Sequence, residues 1–171
     1  MNDNPGRKDE LSALSSGCVN IIHNKMNIGV SASRNRAIDE TTAKFITFLD
    51  ADDILYRQGP LSCNSMPQSL DVGCFDYSVS SGKRWVVGFE KSFHVPEIIR
   101  SRFLEYAEGV GFFPFCWAKV FRVGFLRQHR LRFTESWKIF EDIKFLLEVL
   151  DANTSVLSRK VNDKERKAIL D

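Results

Sequence analysis

Cysteine is sparse and scattered in this chain. Cys18, Cys63, Cys74 and Cys116 form no Cys-x-x-Cys pair, so neither a zinc site nor a disulfide framework is indicated, and reduced, cytosolic thiols are expected. His23, His94 and His129 have no metal-ligand spacing either. Charge of one sign is also missing: the formal net charge is +2, too little to point to nucleic acid. The longest apolar region, Val110 to Val123, is broken by Pro114, Lys119 and Arg122 and cannot span a bilayer. No signal peptide, internal repeat or low-complexity segment is visible. What remains is 171 residues with ordinary apolar content and unusually frequent Phe, which suits one domain with a real core.

The most informative stretch is Lys44-Phe45-Ile46-Thr47-Phe48-Leu49-Asp50-Ala51-Asp52-Asp53. Phe45 to Leu49 reads as a strand buried on both faces, the pattern of a parallel sheet. Ligands bind such sheets at the carboxyl ends of strands. Asp50 and Asp52, two apart, point the same way in an extended exit and would share one hard cation, magnesium or manganese, beside a diphosphate. Plain capping of the next helix explains the same carboxylates about as well. A haloacid-dehalogenase-like Asp-x-Asp reading is weaker, because Asp53-Ile54-Leu55 stands where Gly-Thr-Leu would be required.

Around this stretch the chain alternates helices and strands. Arg7 to Ser15 reads as a short helix and Cys18 to His23 as a strand. Ser31 to Thr42 reads as a helix with Ser31 as N-cap and Ala32, Ala37 and Ile38 on its buried side. Asp71 to Val79 and Arg84 to Phe89 suggest a hairpin through Ser80-Ser81-Gly82. Pro96 starts a helix to about Ala107. Phe140, Ile143, Leu146, Leu147 and Leu150 fall at helical spacing, with Glu141 and Asp142 in the first turn. Thr154 to Val161 suggests a last strand, and Asn162 to Leu170 a charged helix. The order implies an α/β fold.

Four segments in sequence then resemble the inverting, GT-A-fold glycosyltransferases of family 2. Asn2-Asp3-Asn4-Pro5-Gly6 is similar to that family's Asp-Asp-Gly-Ser turn. Asn27-Ile28-Gly29-Val30-Ser31-Ala32-Ser33-Arg34-Asn35 is close to its Asn-x-Gly-x-Ser-x-Ala-Arg-Asn run. Phe48 to Asp53 matches its Asp-x-Asp signature. Trp117-Ala118-Lys119-Val120-Phe121 and Leu131-Arg132-Phe133, leading to Glu141-Asp142-Ile143, resemble the capsule and lipopolysaccharide members.

The resemblance implies a mixed, mainly parallel sheet with flanking helices, and transfer of a sugar from a nucleotide-diphosphate donor, most simply a uridine one, to a surface-glycan or lipid-linked acceptor. Asp3 matches the carboxylate that reads the base. Asn27, Gly29 and Arg34 match nucleotide or diphosphate contacts. Asp50 matches the residue near ribose and metal, and Asp52 the direct ligand of Mg2+ or Mn2+. Asp142 matches the general base, while Glu141 beside it is expected to point elsewhere. Residues 1–57 would be part of the nucleotide-sugar half, 58–161 the acceptor side and 162–171 a charged tail. Members normally open with a strand-helix-strand before the turn that starts this chain, so an N-terminally truncated domain is expected, with a non-catalytic remnant as the alternative. Arg122, Arg127, His129, Arg130 and Arg132 form a basic cluster suited to lipid-linked phosphate or an anionic leaflet. The expected location is the cytoplasm, with peripheral contact at the inner face of the plasma membrane.

Overall fold

The computed structural model describes residues 3–7, 21–51, 53, 70–74, 77–78, 84–85, 92–94, 115–152 and 155–158. After a 3-10 turn at Pro5–Arg7, the described elements are helix α1 (Val30–Glu40), strands β1 (Phe45–Thr47), β2 (Val72–Cys74), β3 (Tyr77–Ser78), β4 (Arg84–Trp85), β5 (Ser92–His94) and β6 (Lys119–Arg122), helices α2 (Val123–Gln128) and α3 (Glu141–Asp151), and strand β7 (Ser155–Ser158). Five strands form one sheet in the order β1-β6-β2-β7-β5, and β3 and β4 make a separate hairpin. The expected helices at 7–15, 96–107 and 162–170 lie largely or wholly outside the described residues, as do half of 18–23 and the whole of the hairpin's loop.

The architecture is α/β with a mixed sheet, as expected, but the balance of directions differs. Among the described strands only the β2–β7 pairing is parallel, with Val72 opposite Val156. The β1–β6, β2–β6 and β5–β7 pairings are antiparallel. Two of these come from β6, which enters between β1 and β2 against the direction of both, and the third from β5 at the other end of the sheet. Its sequence, Lys-Val-Phe-Arg, hides a central strand because a lysine opens it. Lys119 is nevertheless buried, and its ammonium donates to the Phe115 carbonyl at 2.7 Å.

β1 is likewise less enclosed than its apolar run suggests. Phe45 and Ile46 are half-buried, Thr47 and Leu49 are exposed, and Phe48 is buried. The strand lies at one end of the described sheet. Its single deep residue, Phe48, joins an aromatic core. The Phe48 and Phe133 rings meet edge-on at 5.2 Å, and Phe133 stacks on Phe145 at 4.0 Å. Each such ring contributes roughly 1.5–3 kcal/mol when fully buried. Among the described residues, Phe48, Phe121, Phe125, Phe133 and Phe145 belong to this core.

Two helices carry the site. α1 starts at Gly29, whose φ of 86° is left to glycine; open space around a notional Cβ shows that conformation, not crowding, requires it. Ser31 is therefore not the N-cap but a buried residue of the first turn. Ile38 is buried as expected, whereas Ala32 and Ala37 are only half-buried. Asn35 takes a deep place instead and pairs like a strand with Phe133, donating to its carbonyl at 2.9 Å and accepting its N–H at 2.8 Å. At the other end of α1, Arg127 donates to the Ile38, Asp39 and Thr41 carbonyls, where a cation opposes the helix dipole. In α3 the buried face is Phe145, Leu146, Val149 and Leu150. Phe140 and Leu147, read as core by their spacing, face solvent instead, because Phe145 stacking on Phe133 sets the helix's rotation.

Candidate functional site

Two polar clusters meet on the first turns of α1. The first is built on Asp3. Its Oδ1 accepts from the Asn24 amide at 2.9 Å and from Ile28 N–H at 2.8 Å, and its Oδ2 accepts from Gly29 N–H at 2.8 Å. Asn27 adds a local turn, its side-chain oxygen accepting the same Gly29 N–H at 3.2 Å. Asn24 also donates to Ser33 on the helix and accepts from Arg36. Partial burial raises the Asp3 pKa, but hydrogen bonds from Ile28, Asn24, Gly29 and Ser33 outweigh it and hold it below the ordinary aspartate value. A carboxylate therefore fixes, from outside the helix, the turn that leads into α1.

The second cluster is built on Arg34. Its guanidinium donates to Asp50 Oδ1 at 3.0 Å, Asp142 Oδ1 at 2.6 Å and Glu141 Oε1 at 3.3 Å. The Arg34 side chain is only 10 % exposed, against 44 % for Asp50. Three elements thus place three carboxylates on one cation: the exit of β1, the start of α3 and the first turns of α1. Burial works against the charge, but the carboxylates of Asp142 and Asp50 favour it, and the Arg34 pKa is raised. Glu141 was expected to point away from Asp142. Both reach the same guanidinium, because a planar fork with five donors spans two neighbouring side chains.

Sequence reading found Asp3, Asn27, Gly29, Arg34, Asp50 and Asp142, and the structure brings them into these two clusters. Asp52 lies outside the described residues. Two participants were missed. Asn24 joins Asp3 to Ser33, and its place in an Asn-rich loop was the available signal. Cys116 donates its backbone N–H to Asp142 Oδ2 at 3.3 Å, a contact that no residue type announces. Its thiol is buried, and that burial, together with the nearby Asp142 and Asp50 and despite Arg34, pushes its pKa well up. Cys116 therefore stays a neutral thiol beside the carboxylate.

Three members of the basic cluster have separate partners within the chain: Arg122 pairs with Asp71, Arg127 serves the α1 carbonyls, and Arg132 pairs with Asp39. As for a cation, the chemistry of Asp50 suits magnesium or manganese: it is a hard oxygen donor, half-exposed, at a strand exit. Among the described residues no group of three or more His, Cys, Asp or Glu converges as a ready metal cage. One or two carboxylates that share the ion with a diphosphate form no such cage.

Residues 2–59 match the family model for Glycosyl transferase family 2. The structure of S. aureus TarS 1-349 in complex with UDP-GlcNAc is similar at a TM-score of 0.67 and 16% identity, covering 94% of this chain and 48% of that one. The complex with UDP gives 0.65 and 18% identity over 96% and 50%. A further TarS structure gives 0.65 and 16% identity over 99% and 31%. The chain thus spans half or less of the length of these solved structures. No curated protein matches it. It resembles family 2 glycosyltransferases in sequence over its first third and shares a GT-A-like fold over nearly all its length.

Proposed function

We propose that the chain carries the donor and base sites of an inverting glycosyltransferase that moves a sugar from a nucleotide-diphosphate donor to a surface-glycan or lipid-linked acceptor. The observation that carries this reading is the Arg34 cluster, which joins the Asp-x-Asp strand exit to the Glu-Asp helix start on a GT-A-like fold. UDP and UDP-GlcNAc in the similar TarS structures favour a uridine nucleotide. Asp3, Asn27 and Gly29 shape the loop that faces the base, and Arg34 lies one turn further in.

Asp142 is the base in this reading. It takes the acceptor hydroxyl's proton as that oxygen bonds to the anomeric carbon, and the bond to the diphosphate breaks on the opposite face. A carboxylate suffices because the hydroxyl acidifies as it attacks. Cys116 N–H and Arg34 hold Asp142 by different oxygens, which orients it. Asp50, with Asp52, would hold Mg2+ or Mn2+, which supplies positive charge for the leaving diphosphate. The same reading places the chain in the cytoplasm.

Calorimetry with UDP and manganese tests the donor side. Wild type is expected to bind, Asp52→Ala to lose metal-dependent binding, and Asp53→Ala to lose less. Equal binding by wild type and Asp52→Ala would sink the metal assignment. For the base, Asp142→Asn is measured in a chimera with the length of the solved relatives. The rate should fall roughly 10²–10⁴-fold, the range for a positioned base, while donor affinity barely changes. Full turnover by Asp142→Asn would place the base elsewhere. Nucleotide binding with no turnover in the chimera would favour the non-catalytic alternative.

A further inference from the structure

One peptide group stands between a buried cation and the proposed base. The Phe115 carbonyl accepts from the Lys119 ammonium at 2.7 Å, and the Cys116 N–H on the other edge of the same peptide donates to Asp142 Oδ2 at 3.3 Å. A trans peptide is planar, with carbonyl and N–H pointing opposite ways, so whatever aims the oxygen aims the N–H as well. Lys119 is 2% exposed, a rare place for a lysine. Its backbone is pinned in the sheet: it opens β6 opposite Cys74 of β2, and its carbonyl accepts from the Thr47 hydroxyl of β1 at 2.8 Å. Just before it, Ala118 takes left-handed backbone at φ 53°, unusual for a residue with a side chain. The chain folds back there, and Lys119 reaches the carbonyl four residues before it. Phe115 is 41% exposed, so its side of the peptide is held by this ammonium and by its ring, stacked on Trp117 at 5.1 Å, rather than by the core.

We propose that Lys119 is a positioning residue for Asp142, acting from the strand β6 through the single Phe115–Cys116 peptide. This deepens the glycosyltransfer reading and rests on it for the role of Asp142 as base. Two effects run along the same line of atoms. The ammonium fixes the tilt of the peptide plane, and it draws electron density toward the carbonyl oxygen, which makes the N–H a stronger donor. The tilt matters most at the far end. At 3.3 Å the Cys116 contact lies beyond the usual range of about 2.7–3.2 Å, and a small rotation of the plane would lose it. Arg34 cannot replace it, because that guanidinium takes the other oxygen of Asp142 and is divided among Asp50, Glu141 and Asp142. Two anchors on two oxygens set the plane of the carboxylate, and with it the lone pair that meets an acceptor hydroxyl.

Phe115–Cys116 is the only Phe-Cys pair in the sequence. The full chain, labelled isotopically at phenylalanine carbonyl carbons and cysteine nitrogens, therefore gives one carbonyl–amide NMR cross-peak that reports both ends of this peptide. Asp142→Asn should move the amide proton of that peak. Lys119→Met should move its carbonyl and amide together, and in that background the displacement caused by Asp142→Asn should fall to about half or less. Lys119→Gln keeps a neutral donor and should give a response between the two; it is the comparison used where the apolar variant does not fold. Equal displacements with and without Lys119 would overturn the proposal and leave Lys119 as the cap of a turn. So would a wild-type peak that Asp142→Asn does not move, an outcome that needs no change at Lys119. Calorimetry with UDP and manganese separates the readings. Lys119→Met should bind as wild type does, since the relay serves the base and not the donor; loss of UDP binding in that variant would overturn the proposal. Coupled shifts without UDP binding in wild type sink the glycosyltransfer reading alone, and UDP binding without coupled shifts sinks the positioning role alone.

Discussion

The Asp3 and Arg34 clusters share the same end of α1 and are built in opposite ways. At Asp3 one carboxylate collects neutral donors, two backbone N–H groups and an amide, from a loop of six residues. At Arg34 one cation collects three carboxylates from two segments of chain, Asp142 being 108 residues away. The first shapes a local turn and can pass its donors to water when it opens. The second ties elements together in a largely buried place, where like charges tolerate each other only because the guanidinium lies between them. Shape is local here, and charge balance is global. The difference predicts how each cluster breaks.

Removing the cation should cost most. Arg34→Met leaves Asp50, Glu141 and Asp142 facing one another, and urea unfolding should show a loss of about 3–5 kcal/mol, the usual cost of orphaning one side of a buried pair. Arg34→Lys should fall between, because one ammonium cannot reproduce the fork. Adding Asp142→Asn to Arg34→Met should cost less than the sum of the two single changes. Strict additivity would show that the two groups do not interact.

A smaller and more local effect is expected at the other cluster. Asp3→Ala should cost about 1–3 kcal/mol through lost charge-assisted hydrogen bonds. Amide exchange should speed up at Ile28 and Gly29 and leave α3 untouched. An equally large change in α3 would mean that the two clusters are one unit.

The smallest effect concerns pH. The Asp3 pKa is lowered in the folded chain, so its contribution is present above the unfolded value, about 3.9 for aspartate, and is lost as pH falls through the lower folded value. Urea midpoints should therefore drop more steeply below about pH 4 in wild type than in Asp3→Asn. Parallel acid profiles would show that Asp3 gains nothing from its donors.

Legibility followed the same division. α1 and α3 were readable within a residue or two, because 3.6-residue spacing and an acidic first turn are local signals. Gly29 was legible as part of the Asn-x-Gly run, and its φ of 86° shows the turn that the glycine permits. The strand at 119–122 was not, since a buried lysine looks like a surface residue until its carbonyl partner is known. The outward face of α3 was not either. Phe140 and Leu147 fit the apolar period as well as the residues that are buried, and only packing against Phe133 and Phe121 decides between the faces.

The sequence by itself determined the motif order, the turn at Gly29, and the presence of carboxylates at a strand exit and a helix start. These depend on neighbours a few residues apart, whose geometry the backbone imposes. Tertiary structure alone decided that β6 divides β1 from β2, that Arg122, Arg127 and Arg132 are committed to separate partners, and that Arg34 serves Asp50, Glu141 and Asp142 together. Ion pairing and core packing join residues by distance in space, and a one-dimensional pattern does not contain that distance.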